Sequence, residues 1–411
     1  MTKEILTEKW AEELKEDAAA PADSQAHKQK TTAQLLENQD HFLAEASNVV
    51  AGVENWDPIL MKLVRRMAPK LIAYDLCGVQ AMTGPTGLMF ALKARYAGRN
   101  GTTPGTGSGS GETPQGGAEA LGLDEARTNY SGTGTHAGTN PWAAGYQTGT
   151  GKSTAAGETD AWAAMGVTIE KSSIAAVTRQ LRADYSLELA QDMKAIHGLD
   201  ADTELVNILS TELIAELNRE VVRTIYGISK QGAQFATTPG TYDMQNDADG
   251  RWAAERYKGL LFAIERDANV IATETRRGKG NLLIVSADVA SALVMAGILD
   301  YNPAVQGMTG NLQVDVTGTS YAGQAGRFKV FVDPYATGNG YVVGFKGMNQ
   351  YDAGMFYCPY VPLQLVRAVD PTNFHPALGF KTRYALAANP FTTLGAGQNV
   401  YYRKAEIINL I

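Results

Sequence analysis

The run from Ala183 to Ile228 constrains the fold more than any other stretch of this 411-residue chain. Leu205, Ile208, Leu209, Leu213, Leu217, Val221 and Ile225 recur at spacings of three and four, which places them on one face of a helix. Gly198 interrupts the run, and Asp200 or Asp202 is placed to cap the restart. Beyond that break roughly 27 helical residues would extend about 40 Å at 1.5 Å per residue. A rod of that length exceeds what a compact small domain needs.

Around the rod the chain reads as α+β. Leu88 to Tyr96 (LMFALKARY) and Gly166 to Val177 (GVTIEKSSIAAV) have strand character and read as two arms of a long hairpin. Between them lies Gly98 to Asp160, with sixteen of the chain's 43 glycines. Such a stretch buries too little apolar surface to offset its ordering entropy and is expected to be a flexible excursion. Past residue 231 a helix over Arg251 to Thr275 is followed by short strands at Leu282 to Val285, Arg327 to Val332, Tyr341 to Phe345 and Tyr360 to Val366. Pro58 onward carries a further helical spacing that Pro69 ends.

The front end differs in kind. Residues 1–45 hold ten acids and five lysines, a charge of −5 out of the total −7. Residues 2–17 have the makings of a charged helix, whereas 18–34 are too poor in large apolar residues to fold alone, so the leader reads as detachable or disordered. The acidic balance argues against a general nucleic-acid binder, which needs clustered Lys and Arg. The start lacks the basic flank and apolar centre of a secretory signal, and Ser286, Asp288 and Ser291 interrupt the best membrane candidate, Leu282 to Leu299, which fits a strand and a capped helix better. A soluble, intracellularly made protein with no membrane segment is expected. Two cysteines, Cys77 and Cys358, form no disulfide framework and no zinc spacing, and their apolar contexts read as buried small hydrophobes.

Catalytic signatures are weak. Gly145 to Ser153 (GYQTGTGKS) ends like a phosphate-binding loop, but Tyr146 stands where the first glycine belongs and no apolar strand precedes it. A nucleotide hydrolase using Lys152 and Ser153 is thus the second reading, with chance recurrence in a Gly/Ser/Thr-rich loop the better account. The acids at Asp200, Asp202 and Glu204, and Asn246 to Gly250, lack the glycine and the final Glu of a calcium loop and read as a helix cap and a turn. The five histidines show no metal spacing, and His197 before Gly198 reads as a helix-end residue. Arg65-Arg66 and Arg276-Arg277 read as solvated or interface charges. No catalytic residue, cofactor or metal ligand is expected.

Leu63 to Tyr96 (LVRRMAPKLIAYDLCGVQAMTGPTGLMFALKARY) resembles the major capsid proteins of T-even-type tailed bacteriophages, and the resemblance returns at 178–222, 351–363 and 370–391. It implies the α+β Hong Kong 97 capsid fold, with an acidic propeptide at 1–45, an N-terminal arm at 46–85, an extended hairpin loop at 86–178 carrying the Gly-rich insertion 98–160, a spine helix at 179–230, and interleaved axial and peripheral domains at 231–411. It further implies a shell of homo-hexamers around DNA held without sequence-specific binding. The implied partners are vertex, portal, scaffold and prohead protease proteins, with decoration proteins and a chaperonin as further candidates. A pentameric vertex protein of the same fold is the nearest alternative. The family's prohead protease cuts after the Glu of a Leu/Ile-x-Glu triplet. Leu43-Ala44-Glu45 fits, placing the processed bond between Glu45 and Ala46. Leu6-Thr7-Glu8, Leu14-Lys15-Glu16 and Leu35-Leu36-Glu37 also lie in the leader, and Leu123-Asp124-Glu125 and Ile214-Ala215-Glu216 lie beyond it, the last expected to be protected inside a helix.

Overall fold

The computed structural model of the chain describes residues 30–38, 71–97, 128–134, 145–159, 164–248, 252–297, 299–301, 320–349, 351–370, 375–389 and 397–410, with Lys9, His136, Ala137, Pro141, Trp142 and Trp162. These fall into two compact units: the body, Met1–Gly87 with Ile174–Thr273 and Arg277–Ile411, and a second unit, Leu88–Ser173 with Glu274–Arg276.

In chain order, residues 30–38 form α1, Ala73–Leu76 α2, Gly78–Val79 β1 and Thr86–Ala97 β2. Thr128–Ser131 (α3) and Thr154–Thr159 (α4) are short helices, and Ala164–Ala175 (β3) pairs with β2 as a two-stranded ribbon. Val177–Asp184 (β4), Leu187–Asp192 (α5), a π-helical turn at Met193–His197 and the long helix Ala201–Ile228 (α6) follow. Then come Ser229–Gln231 (β5), Thr241–Asp243 (β6), Ala253–Thr275 (α7), Leu282–Ser286 (β7), Ala287–Met295 (α8) and Leu299–Tyr301 (β8). Ser320–Ala325 (β9), Phe328–Asp333 (β10), Gly340–Gly344 (β11), Met355–Val369 (β12), Pro376–Ala388 (β13) and Asn399–Ile408 (β14) complete the described elements.

Among the described residues the body contains two sheets. The larger runs β5-β14-β11-β7-β10-β9-β8, with β6 also on β14. Its central strand β7, LLIVS, is buried throughout, as a continuous apolar run should be when both faces are covered. The smaller sheet runs β1-β12-β13-β4. In β12 the register with β13 shifts between Pro359 and Val361 and again between Val361 and Gln364. The sequence there is PYVP, and each proline lacks the N–H that a regular ladder requires, so the strand bulges where they stand.

Helix α6 packs on β13, β4 and β14 through Leu209, Leu213, Leu217, Val221 and Ile225, all buried. Arg179 of β4 reaches it with ion pairs at 2.8 Å to both Glu216 and Glu220, and the Tyr384 hydroxyl of β13 donates to Glu220. On the other side Arg219 donates to both carboxylate oxygens of Asp333 at 2.7 Å, fixing the helix to the end of β10.

Several expectations change. The helix does not begin at Ala183, because β4 continues through Asp184 on the edge of the smaller sheet. Gly198 adopts φ +66°, a left-handed turn that ends the π segment, and α6 restarts with Asp200 at its N-cap position. The Asp200 side chain makes no cap bond to the helix backbone and instead accepts from Thr203 Oγ1 at 2.9 Å. Ser286 likewise precedes α8 without a side-chain cap. Within 18–34, residues 30–34 are helical in α1, which buries Ala33, Leu35 and Leu36 and is tied to Met82 and Tyr360 through Asn38, so the reading that 18–34 cannot fold alone is not overturned. The helices expected over 2–17 and from Pro58 to Pro69 lie outside the described residues, apart from Lys9. Part of the Gly-rich stretch has defined structure: Thr133 bridges Thr150 and Ala137 bridges Gln147.

Candidate assembly surfaces

The ribbon of β2 and β3 carries the largest departure from ordinary burial. Strand side chains alternate between faces, so Leu88, Phe90 and Leu92 share one side of β2, and Met165, Val167 and Ile169 share one side of β3. All six are more than half exposed, from 56% at Met165 to 74% at Leu92. Arg95 and Glu170 have the opposite parity and form an ion pair with each other, which puts those two on a common face. The six apolar side chains therefore share the other face, and the ribbon presents them together to solvent. Tyr96 stacks on Tyr130 with centroids 4.5 Å apart, within the same unit. A two-stranded ribbon is marginal by itself, and one with an apolar face this large needs something to lie on.

The body has further exposed apolar side chains. Leu187, Leu189, Ile196 and Leu199 are exposed along α5, the π turn and the approach to α6. Phe235 and Phe262 flank Arg266, whose guanidinium lies 3.8 Å from the Phe235 ring centroid, at a cavity of about 250 Å³ that Tyr242, Asp247 and Asp267 also line. Asp267 is buried, accepts from Ala233 N at 3.0 Å and from Tyr341 Oη at 2.8 Å, and burial raises its carboxyl above the ordinary value.

The residues singled out for chemistry sit in structural roles. Ser153 Oγ accepts from Ala156 N at the start of the exposed α4, and ahead of it Thr150 makes only an isolated bridge, so Gly151-Lys152-Ser153 does not follow the buried strand a phosphate loop uses. Asp202 accepts from Tyr185 Oη at 3.1 Å and pairs with Arg367 at 3.0 Å. Asp247 accepts from Thr237 N, Thr237 Oγ1 and Asp243 N, closing a turn, and its carboxyl lies below the ordinary value although partial burial opposes this. His197 ends the π segment before Gly198. Cys77 and Cys358 are buried free thiols, and desolvation pushes them up to about 12 and about 11, so both stay neutral. Among the described residues no three His, Cys, Asp or Glu side chains gather as a metal would require, and no helix is long and apolar enough to cross a membrane. Leu43, Ala44, Glu45 and Ala46 lie outside the described residues.

The family model for major capsid protein Gp23 matches residues 53–407. The chain belongs to that family. The major capsid protein of Serratia phage KSP90 is 38% identical over 456 residues, covering 100% of both chains. The capsid vertex protein of Enterobacteria phage T4 is 26% identical and covers 54% of this chain and 53% of its own length. Whole-length similarity thus lies with major capsid proteins rather than with the vertex protein. Among solved structures, the capsid of Myoviridae phage XM1 is similar with a TM-score of 0.41 and 12% identity, covering 80% of this chain and 90% of that one. The chain is a structural subunit of a phage head shell, and its described elements are α+β as expected. The sequence signal for the ribbon was present, but its outward apolar face was missed, because alternation alone does not say which side a body covers.

Proposed function

We propose that this Gp23-family chain assembles as homo-hexameric capsomers, each ribbon laying the Leu88, Phe90, Leu92, Met165, Val167 and Ile169 face on a neighbouring copy. The observation that carries the proposal is this single apolar face on a two-stranded element, a surface with the composition of an interface core. The domain plan follows: propeptide 1–45, arm 46–85, hairpin loop 86–178, spine 179–230, and axial and peripheral parts 231–411. Vertex, portal and scaffold proteins are the partners of assembly, with decoration proteins and a chaperonin as further ones. A residual charge of −2 after loss of the leader suits a wall that encloses DNA without gripping it.

Maturation on this reading cuts between Glu45 and Ala46, with a prohead protease reading Leu43-Ala44-Glu45. Electron microscopy of chain expressed with its assembly partners tests the shell: regular heads or sheets of hexamers support it, and a dispersed monomer at all concentrations overturns it. Mass spectrometry of subunits from mature particles tests the cut, with an N-terminus at Ala46 expected and an intact Met1 counting against it.

A further inference from the structure

Helix α1 belongs to the acidic leader, yet it is anchored to the body. Asn38 Nδ2 donates to the carbonyl oxygens of Met82 and Tyr360, both at 2.9 Å, while Asn38 Oδ1 accepts from Gln34 Nε2 at 3.3 Å. Leu35 and Leu36 are 3% and 4% exposed, and Glu37 is buried beside Lys9 with an ion pair at 2.8 Å. Residues 31–33 and 35–37 are all buried, so these turns are held by contacts outside the helix as well as by the few bonds they close. α1 is therefore helical because it is docked.

The docking place is specific. Met82 lies just before β2, its N–H donating to Pro359 O at 2.9 Å, and Tyr360 stands at the first bulge of β12. The bulge leaves the Tyr360 carbonyl outside the ladder with β13, free to accept from a side chain that reaches it. One amide side chain thus ties the leader to two chain segments of the body at the root of the ribbon strand.

The same helix contains Leu35-Leu36-Glu37, a complete cleavage triplet. Proteases bind their substrates extended, so a triplet wound into a docked helix is cut only after the helix comes off. We propose that α1 is a strap, held by Asn38 across Met82 and Tyr360, that keeps the bond after Glu37 latent and the surface beneath it covered until the strap undocks. The inference deepens the maturation reading by making leader removal depend on an undocking step.

The test is limited digestion of the full chain with a glutamyl endopeptidase, following the bond after Glu37 by mass spectrometry. Asn38→Asp keeps the side-chain size but replaces the donating NH₂ with oxygen, and Asn38→Ala removes it. With two hydrogen bonds lost, the undocked fraction, and with it the cut after Glu37, rises about tenfold or more, since cleavage follows the open population when reclosing is fast. Amides of residues 34–38 exchange slowly in the wild type and lose that protection in both variants. Equal cleavage after Glu37 in all three chains, or unprotected α1 amides in the wild type, overturns the strap. Because the endopeptidase replaces the phage enzyme, a strap confirmed in this assay alongside an intact Met1 in mature particles would leave the strap standing and remove the maturation reading alone.

Discussion

Phe90→Ala separates an assembly contact from a fold contact. Phe90 is 61% exposed in the isolated chain. With about 200 Å² for a whole aromatic side chain, that is about 120 Å² awaiting cover. At 25 cal/mol/Å² its burial against a neighbour contributes at most about 3 kcal/mol per contact. The retained Cβ and incomplete packing bring the expected loss nearer 1.5–3 kcal/mol, or about 10–100-fold in the association constant. The fold of the unassembled chain gains little from an exposed ring, so its stability should move by no more than about 0.5 kcal/mol. Light scattering and electron microscopy against protein concentration give the first quantity, and denaturant unfolding of the unassembled chain gives the second. The expected pattern is a 10–100-fold higher concentration for assembly with an unchanged unfolding midpoint. Assembly at the wild-type concentration, or a loss of several kcal/mol in the unassembled chain, refutes the placement of Phe90 at an intersubunit surface.

Two further outcomes concern the body. Arg219→Ala leaves the fully buried Asp333 carboxylate without the guanidinium that holds both its oxygens, and should cost about 3–5 kcal/mol in denaturant unfolding. Asp267 carries a carboxyl pKa that burial raises from 3.8, so between 3.8 and the higher folded value the native state binds more protons than the unfolded one, and stability falls as pH rises through that window. Asp267→Asn should flatten that slope in unfolding measured across the acid range, and a slope identical to wild type would show that other groups carry it.

What the sequence made legible follows from where each element gets its stability. Helix α6 was visible because its own apolar face, Leu209, Leu213, Leu217, Val221 and Ile225, is what it buries. Strand β4 was not. Its residues VTRQLRAD alternate between exposed and half-buried, it lies at the edge of the smaller sheet, and only its ladder with β13 makes it a strand. Polar side chains suit such an edge, and they carry little period for a reader to find. β14 was missed for a related reason: Arg403 is wholly buried in it, its Nη1 donating to Gln231 O at 2.8 Å, and a charged residue at a core position hides the strand pattern. The ribbon strands were legible from alternation, whereas the anchoring of α1 depends on Met82 and Tyr360, which no local pattern joins to Asn38.

That anchoring bears on how a three-residue signal can be selective at all. The triplet Ile214-Ala215-Glu216 has the same form as those in the leader, but Ile214 is buried, Glu216 is paired with Arg179, and both lie in the middle of α6. Presenting it extended to a protease would strip a helix that joins both sheets of the body, an opening that costs nearly as much as unfolding the body itself. Presenting Leu35-Leu36-Glu37 requires a short helix to release two carbonyl oxygens, expose Leu35 and Leu36 and part Glu37 from Lys9, while α6 would have to leave both sheets. The openable population falls tenfold for every about 1.4 kcal/mol of opening, so on the strap reading the difference in opening free energy separates two triplets of the same form. On the strap reading, a protease of this specificity is therefore expected to cut after Glu37 well before it cuts after Glu216, because the leader helix opens at a fraction of the free energy that α6 demands.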